Sequence, residues 1–544
     1  MFIQQGPPSR FFRFALCGII LLCLILSGHF FETFPNGWAQ AEYAWAIDDN
    51  FLPHSPYFLY YLLGELFSIV FAAPVALTLL SLTSAIVALV AMALLCRNLK
   101  GASLASEVAA LCAAALMGGA FLFVRQSATQ EVYMLQLALV LWASVPLAGR
   151  TTQGGVRGSG LLTGAAVVTH NSSLFLLPAL ALLVLWQGGN RFGRLVRWLA
   201  GVAASTALGY GLLWFIFPIG WADYLQCLAG IAPPIQFDGI LREGALAASI
   251  SGFMTRLTSD DIQTIRVFPV ATSSLGIWPA HFMLGLAGFC SALLRDRRLA
   301  MFALAWPSVF VLYELSLRTN IDAGTYLVFL LPVLCVLAST ALWSVFTRIQ
   351  SRTLLFSVAF SVLTISMLPS LRLTFKHWGE PAAHLLAHYS DNTLAAMWVR
   401  QNLADDVLMI QSRNDWNVNL LPYYSKRKHA MWRGTRLFTY EGFGHAHTPL
   451  NASAFALLTT ERLTEHLAQG GQVYALDANP LAHIDRRSLD HRLFEWSAGP
   501  VVPLAQIARD AHTPAAVQAR VKARTKQLFR LVRVPTVDST TPAF

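Results

Sequence analysis

Charged residues are scarce in this chain. Of its 544 residues, Asp, Glu, Lys and Arg make up 12%, whereas 55% are hydrophobic. Soluble proteins carry about 25% charged residues, so this composition excludes a chain built only of ordinary soluble domains. The seven cysteines form no CxxC pair and no GxxxxGK[ST] motif is present, so the usual signals of zinc sites, disulfide frameworks and P-loops are missing. The composition indicates an integral membrane protein.

Apolar runs long enough to cross a bilayer, which takes about 20 residues, occur nine times. They lie at 14–31, 75–96, 103–124, 131–149, 198–219, 274–294, 299–317, 326–346 and 353–371. The stretch 159–187 can form one long helix, or two short helices that meet at Thr169-His170-Asn171. Two crossings place the arginines on both sides of this stretch in the cytoplasm, as the positive-inside rule requires. We therefore expect a polytopic α-helical membrane protein with about 11 transmembrane helices, its N-terminus inside and its C-terminus outside.

The predicted topology divides the chain into two domains. Residues 1–371 form the transmembrane domain, with large outer loops at 32–74 and 220–273. Within the first loop, Tyr57–Phe71 is too short to span and is expected to lie on the outer leaflet as an interfacial helix. Residues 372–544 lack a spanning run, and 406–412 and 472–478 resemble short buried strands, while 515–531 resembles a basic helix. This segment predicts a soluble, extracytoplasmic α/β domain.

Acidic residues concentrate near the predicted outer face, beginning with the first outer loop. Glu42, Asp48, Asp49 and His54 lie within thirteen residues of one another. A carboxylate beside apolar helices has a shifted pKa and can act as a general base, and a histidine at the headgroup level can contact a phosphate. Ordinary loop polarity is the alternative explanation.

Further candidates lie at other predicted outer turns. Arg125 and Glu131 flank the turn after the third span, where helix capping by Glu131 is the alternative. His170 lies where two short helices meet, which predicts a protein-lined cavity. Arg318 faces outward against the positive-inside bias and suggests an anion, with an interfacial snorkelling arginine as the alternative. Tyr57, at the start of the interfacial helix, is a further candidate for binding a lipid phosphate.

Four segments, taken in chain order, resemble motifs of the protein O-mannosyltransferase-like family. This family is known as domain of unknown function 2723 and includes transmembrane protein 260. The matching segments are Glu42-Tyr43 followed by His54-Ser55-Pro56-Tyr57, then Glu131-Val132-Tyr133, then Gly160 through His170, and finally Pro218-Ile219-Gly220-Trp221. The resemblance covers roughly residues 10–230. It implies a GT-C-like glycosyltransferase that moves a sugar from a polyprenyl-phosphate-linked donor to a protein, glycan or lipid acceptor on the outer face, with inversion.

The resemblance also implies roles for individual residues. Glu42 matches the second acid of the family pattern, whereas the first acid, the usual catalytic base, falls at Ala39. Either Glu42 acts as base, or Asp48 or Asp49 does, or transfer activity has been lost. The resemblance places His54 near the carrier phosphate, Glu131 with Arg125 at a second acidic site, and His170 in the cavity lining.

Two other classes of function remain open: a catalytically inactive GT-C-fold scaffold, with Ala39 as its signature, and a secondary transporter. The acids show no recognisable metal-ligand spacing, so no metal site is predicted and a divalent cation stays an open question. Although the net charge is +10, the basic residues cluster in turns on one side of the membrane, so no nucleic-acid partner is expected. The basic charge balance and the sparse lysine favour a location in a bacterial inner membrane, with residues 372–544 in the periplasm. Membrane lipids are therefore expected to contact the protein.

Overall fold

The computed structural model describes the helical part of the chain and the strands of a sheet. The described residues are 7–28, 30–31, 38–49, 57–149, 152–187, 189–216, 278–316, 327–378, 399–404, 407–412, 428–433, 436–440, 455–457, 467–475, 494–496, 502–503 and 527–533. The chain divides into two compact units. One comprises Met1–Thr33, Tyr57–Pro218 and Ile231–Glu380, and the other comprises Phe34–Pro56, Ile219–Gly230 and Pro381–Phe544.

The described residues of the first unit are helical, because an apolar segment in lipid can satisfy its backbone hydrogen bonds within a helix. Its helices are α1 (Arg10–Gly28), α3 (Phe58–Ser68), α4 (Ala73–Lys100), α5 (Leu104–Gly118), α6 (Phe121–Ser127), α7 (Tyr133–Leu147), α8 (Gln153–Thr169), α9 (Leu177–Trp186), α10 (Arg191–Ile216), α11 (Trp278–Arg295), α12 (Arg297–Ser316), α13 (Leu331–Phe346) and α14 (Arg352–Trp378). The label α2 belongs to Trp38–Asp49, which lies in the second unit.

By length and composition, two of the described helices, α1 and α4, can each cross a bilayer alone. The bent pair α5 and α6 makes a third candidate crossing, and several shorter apolar helices accompany them. The chain is therefore a helical membrane protein. The full count of eleven crossings stays a prediction, as does the position of α3 on the membrane surface, although α3 is helical as expected.

The run 103–124, expected to be one helix, is interrupted. Helix α5 ends at Gly118 and α6 begins at Phe121, with an angle of 67° between them. The reason is the Gly118-Gly119 pair, because glycine weakens a helix interior and sharp bends form at such positions. The Gly119 N–H donates to the Ala115 carbonyl and closes the last turn of α5.

A second interruption lies where the sequence predicted it, at His170. Helix α8 ends at Thr169, and His170 is extended, with φ −158° and ψ 127°. Its Nδ1 accepts the Ser172 N–H at 3.1 Å and so caps the 3₁₀ helix Asn171–Leu176, which leads into α9. The prediction of two short helices meeting at 169–171 is confirmed.

Close contact between α8 and α10 depends on glycines. A Cβ atom added at Gly160 would collide with the Trp198 carbonyl oxygen, and one at Gly164 would lie 2.7 Å from the Ser205 Cβ. On α10, a Cβ at Gly201 would lie 3.0 Å from the Arg157 carbonyl oxygen. Small residues spaced four apart let backbones approach where lipid provides no hydrophobic driving force between helices.

A buried ion pair joins the C-terminal end of α4 to the first turn of α5. Arg97 Nε lies 3.4 Å from Glu107 Oε1, and both side chains are almost fully buried. Glu107 also accepts the Ser9 backbone N–H at 3.0 Å. Because Arg97 and Glu107 neutralise each other, their charges are tolerated in the interior. The hydrogen bond from Ser9 holds the segment before α1 against α5.

The second unit contains α2 and a mixed sheet. Its strands are β1 (Leu408–Ser412), β2 (Lys428–Arg433), β3 (Arg436–Tyr440), β4 (Phe455–Leu457), β5 (Val473–Ala475), β6 (Phe494–Trp496), β7 (Val502–Pro503) and β8 (Gln527–Arg533). The order is β4-β3-β2-β1-β5-β8-β6, with β7 also paired to β8. The two predicted strands, β1 and β5, pair in parallel, with Leu408 opposite Val473. Placement of this unit outside the membrane stays a prediction.

The predicted helix at 515–531 is wrong over its last five residues. Residues 527–533 form β8, which pairs antiparallel with β5 along one edge and with β6 along the other. Apolar and aromatic residues such as Phe529, Leu531 and Val532 suit a strand with neighbours on both sides. Pairing with strands distant in the sequence therefore outweighs the helical pattern of the basic residues. Residues 515–526 lie outside the described part.

Candidate active site

The acids of the first outer loop lie on one short helix. Glu42, Asp48 and Asp49 all belong to α2 (Trp38–Asp49). Glu42 and Asp49 are seven residues apart, close to two helical turns. Asp48 is exposed, whereas Tyr43 and Ile47 of the same helix are buried. The two other predicted site residues of the outer loops, His54 and Arg318, lie outside the described residues.

In the helical unit, Arg125 and Glu131 lie on either side of a polar turn. Arg125 is in the last turn of α6, Glu131 comes just before α7, and both are half-buried. The Ser81 hydroxyl donates to the Glu131 backbone carbonyl at 3.1 Å, which ties the turn to α4. The N-cap of α7 is Val132, which has no side-chain cap hydrogen bond.

Tyr57 and His170, both predicted as site residues, lie in contact. Their rings stack with centroids 4.6 Å apart and planes 22° apart. The Tyr133 ring packs on His170 as well, at 5.4 Å and 43°. His170 is 3% exposed, whereas Tyr57 is only partly buried. Since Tyr133 follows Glu131 by two residues, three of the segments singled out in the sequence converge here.

A hydrogen-bond network that the sequence reasoning missed supports this cluster. Gln136 Nε2 donates to Ser172 Oγ at 2.9 Å and to Ser173 Oγ at 2.8 Å. The Ser173 hydroxyl donates in turn to the Ala166 carbonyl at 2.8 Å. Ser172 Oγ is 2.8 Å from His170 Nδ1. An amide in the apolar helix α7 was the available signal, because polar residues inside membrane helices are costly and usually functional.

Buried glutamines surround the same turn. Gln126 is 4% exposed, and Gln130 and Gln136 are fully buried. Among the described residues, the Oε1 atoms of all three, and Nε2 of Gln130, have no hydrogen-bond partner. A buried polar atom without a partner costs about 1–3 kcal/mol. An arrangement that bears this cost several times over is typical of a site that receives a polar ligand.

The described residues do not assemble a metal site. No three His, Cys, Asp or Glu side chains in this part of the chain lie close enough together to hold a metal ion. What the cluster offers is one guanidinium, one carboxylate, amide donors and acceptors, and a stack of aromatic rings. These groups suit the recognition of a polar ligand that carries a negative charge.

Solved structures of other proteins are similar to this chain in fold. ArnT from Cupriavidus metallidurans bound to undecaprenyl phosphate is similar over 86% of this chain and 93% of its own, with a TM-score of 0.52 and 15% identity. The apo state of the same ArnT covers 86% of this chain and 94% of its own, with a TM-score of 0.54 and 13% identity. The chain has the GT-C fold of ArnT.

The likeness to ArnT confirms the predicted GT-C-like fold. At 15% identity or less it is a likeness of fold, and it assigns no residue of this chain to a role. No family model matches the sequence, and no curated protein matches it significantly. The narrower resemblance to the protein O-mannosyltransferase-like family therefore stays a prediction.

Proposed function

We propose that this protein is a membrane glycosyltransferase that takes its sugar from a polyprenyl-phosphate-linked donor. The observation that carries the proposal is the fold shared with ArnT over 86% of the chain, since that ArnT structure holds undecaprenyl phosphate. The unpartnered buried amides beside Arg125 support the same conclusion independently, because a sugar phosphate supplies both hydroxyls and a negative charge.

The proposed reaction needs few protein groups. The bond between the anomeric carbon and the phosphate oxygen breaks, and the polyprenyl phosphate leaves with the electron pair. The acceptor hydroxyl forms the new bond to that carbon, with inversion, and its proton passes to a carboxylate base. Cations and hydrogen-bond donors stabilise the departing phosphate. No step requires ATP, which agrees with the missing P-loop motif.

We assign donor binding to the cluster in the helical unit. Arg125 supplies the positive charge for the phosphate, and the amide of Gln130 supplies hydrogen bonds to a polar group. Tyr57 offers a partly exposed ring for contact with the donor, and His170 holds that ring in place by stacking against it. Burial of His170 favours this positioning role over direct contact with phosphate.

For the catalytic base we keep Glu42, on the strength of the family resemblance. Asp48 and Asp49 of the same helix, and Glu131 beside Arg125, are the alternatives. We further propose that transfer occurs on the periplasmic face of a bacterial inner membrane and that the acceptor is a protein, glycan or lipid. The narrower family, the O-mannosyltransferase-like group, belongs to this proposal as well.

The proposal is tested by binding of undecaprenyl phosphate to the purified full-length protein, measured by native mass spectrometry. We expect binding that phosphatidylglycerol does not displace at equal concentration. Arg125→Gln should weaken it about tenfold, which corresponds to roughly 1.4 kcal/mol. The matched control is Arg157→Gln, which removes an exposed arginine from α8. Equal binding of both lipids, or equal losses in both variants, would refute the assignment.

A further inference from the structure

A cavity lies at the opposite end of α7 from Tyr133. Its volume is about 390 Å³, within the range of roughly 300–1,000 Å³ typical of small-molecule sites. Helix α7 has 15 residues, so this cavity is about 20 Å from the His170 cluster along the helix axis. Its polar lining consists of Asn98, Lys100, Gln187, Asp296 and Arg298.

Side chains of both charges line this cavity. Lys100 and Arg298 supply positive charge, and Asp296 supplies negative charge. Lys100 Nζ lies 5.2 Å from the centre of the Trp343 ring, and Lys100 is close enough to Asp296 for their charges to interact. Asp296 Oδ1 accepts the Leu299 N–H at 3.3 Å and so caps α12.

The ends of five helices add to this mixed field. Helices α4, α7, α9 and α11 all end at the cavity, and α12 begins there. A helix C-terminus carries about half a negative charge and an N-terminus about half a positive charge. The four C-termini and Asp296 together offset the positive charge of the two basic side chains and the one N-terminus. A ligand with a single negative charge gains little overall from such a lining, whereas a ligand carrying both charges is stabilised at each end.

The location of the cavity narrows the ligand further. It lies at the end of α4, a helix long and apolar enough to cross the membrane, so it is at the level of the lipid headgroups. Trp186 and Leu183 also line it, and tryptophan is enriched at this boundary. A zwitterionic group attached to an apolar chain therefore fits the cavity better than a free metabolite.

We infer that this cavity binds the headgroup of an aminophospholipid, phosphatidylethanolamine. The lipid comes from the leaflet at the end of the helical unit where Lys100 and Arg298 lie. Lys100 and Arg298 bind the phosphate. The primary ammonium donates hydrogen bonds to Asp296 and to carbonyl oxygens at the ends of α7 and α9. This site is separate from the donor site and does not depend on the proposed glycosyl transfer.

The test compares lipids that differ in the ammonium group. Full-length protein is placed in three kinds of nanodisc: phosphatidylcholine alone, phosphatidylcholine with one fifth phosphatidylethanolamine, and phosphatidylcholine with one fifth phosphatidylglycerol. The lipid adducts and the Tm of the protein are measured in each. Phosphatidylcholine has the same two charges but no N–H. We expect retention of phosphatidylethanolamine to exceed that of phosphatidylcholine about tenfold, and a higher Tm in its presence. Arg298→Gln should abolish that preference, and Arg295→Gln, which removes an exposed arginine outside the lining, should leave it intact.

Three results would overturn the inference. Equal retention of phosphatidylcholine shows that the ammonium N–H groups are not recognised. Stronger retention of phosphatidylglycerol shows an anion site instead. In a competition experiment, displacement of the bound lipid by soluble phosphoethanolamine as readily as by added phosphatidylethanolamine shows that a free phosphate compound, not a membrane lipid, is the ligand. The lipid comparison uses the unaltered protein, so it stands even where a variant folds poorly.

Discussion

At the scale of single residues, His170 combines two roles that substitution can separate. Its Nδ1 caps the 3₁₀ helix, and its ring stacks on Tyr57 and contacts the tilted ring of Tyr133. Asparagine keeps a capping acceptor but removes the ring, whereas alanine removes both. We expect the free energy of unfolding of His170→Ala to be about 1 kcal/mol lower than that of His170→Asn. Both variants should bind undecaprenyl phosphate more weakly, because Tyr57 loses its packing partner. Unchanged binding by His170→Asn would show that the ring does not position Tyr57.

Glu42 is the residue on which the chemistry depends. General bases contribute roughly 10²–10⁴-fold to rate, so Glu42→Gln should lower transfer at least about a hundredfold and leave undecaprenyl phosphate binding unchanged. Asp48→Asn is the comparison variant, since Asp48 is an alternative base that lies exposed on the same helix. Transfer is followed by consumption of the native donor lipid in membranes that contain each variant. A loss in Asp48→Asn alone would move the assignment to that residue. Normal biological function in every acid variant would favour the inactive scaffold.

Individual site residues were only partly predictable from the sequence. Tyr57 and His170 were singled out separately, yet nothing in their local sequence shows that their rings stack. The stacking of Tyr57 on His170 depends on how helices distant in the sequence pack together. The hydrogen bonds of Gln136 depend on the same packing. A polar residue in an apolar helix signals importance but not its partners. The cavity beside Lys100 could not be predicted from the sequence for the same reason, because the ends of five helices form it.

At the scale of helices, the packing of α8 on α10 makes a direct prediction. Gly160→Leu places a side chain against the Trp198 carbonyl, so the helices must separate. Overpacking costs about 1–3 kcal/mol, and we expect a clearly lower Tm in detergent. Gly158→Leu is the matched control, since no atom of another described element lies within 4 Å of a Cβ added there. Equal Tm values for the two variants would contradict the close approach of these helices.

Local sequence signals predicted element type better than element ends. The break at His170 followed from loop charge, and β1 and β5 followed from short apolar runs. The bend at Gly118-Gly119 was missed because hydropathy averages over a run and ignores single glycines. Strand β8 was mistaken for a helix because its pairing with β5, β6 and β7 is not local. Errors therefore fall where tertiary contacts decide the structure.

At the scale of the whole molecule, the predicted eleven crossings put the two termini on opposite sides of the membrane. A reporter at the C-terminus that is active only in the periplasm, such as alkaline phosphatase, should therefore be active. A green fluorescent protein at the N-terminus should fluoresce, because it folds in the cytoplasm. The turn that joins α7 to α8, with Arg150 and Arg157 nearby, should also report a cytoplasmic position. Activity of both reporters on one side would require an even number of crossings.

The central claim is that this GT-C-fold protein uses a sugar carried on polyprenyl phosphate. Mass spectrometry of the lipids that copurify with the detergent-extracted protein tests it most directly. We predict a polyprenyl phosphate that carries a hexose, pentose or aminosugar, enriched over its level in the source membrane. Recovery of bulk phospholipid alone, even after donor lipid is added back, would contradict the claim.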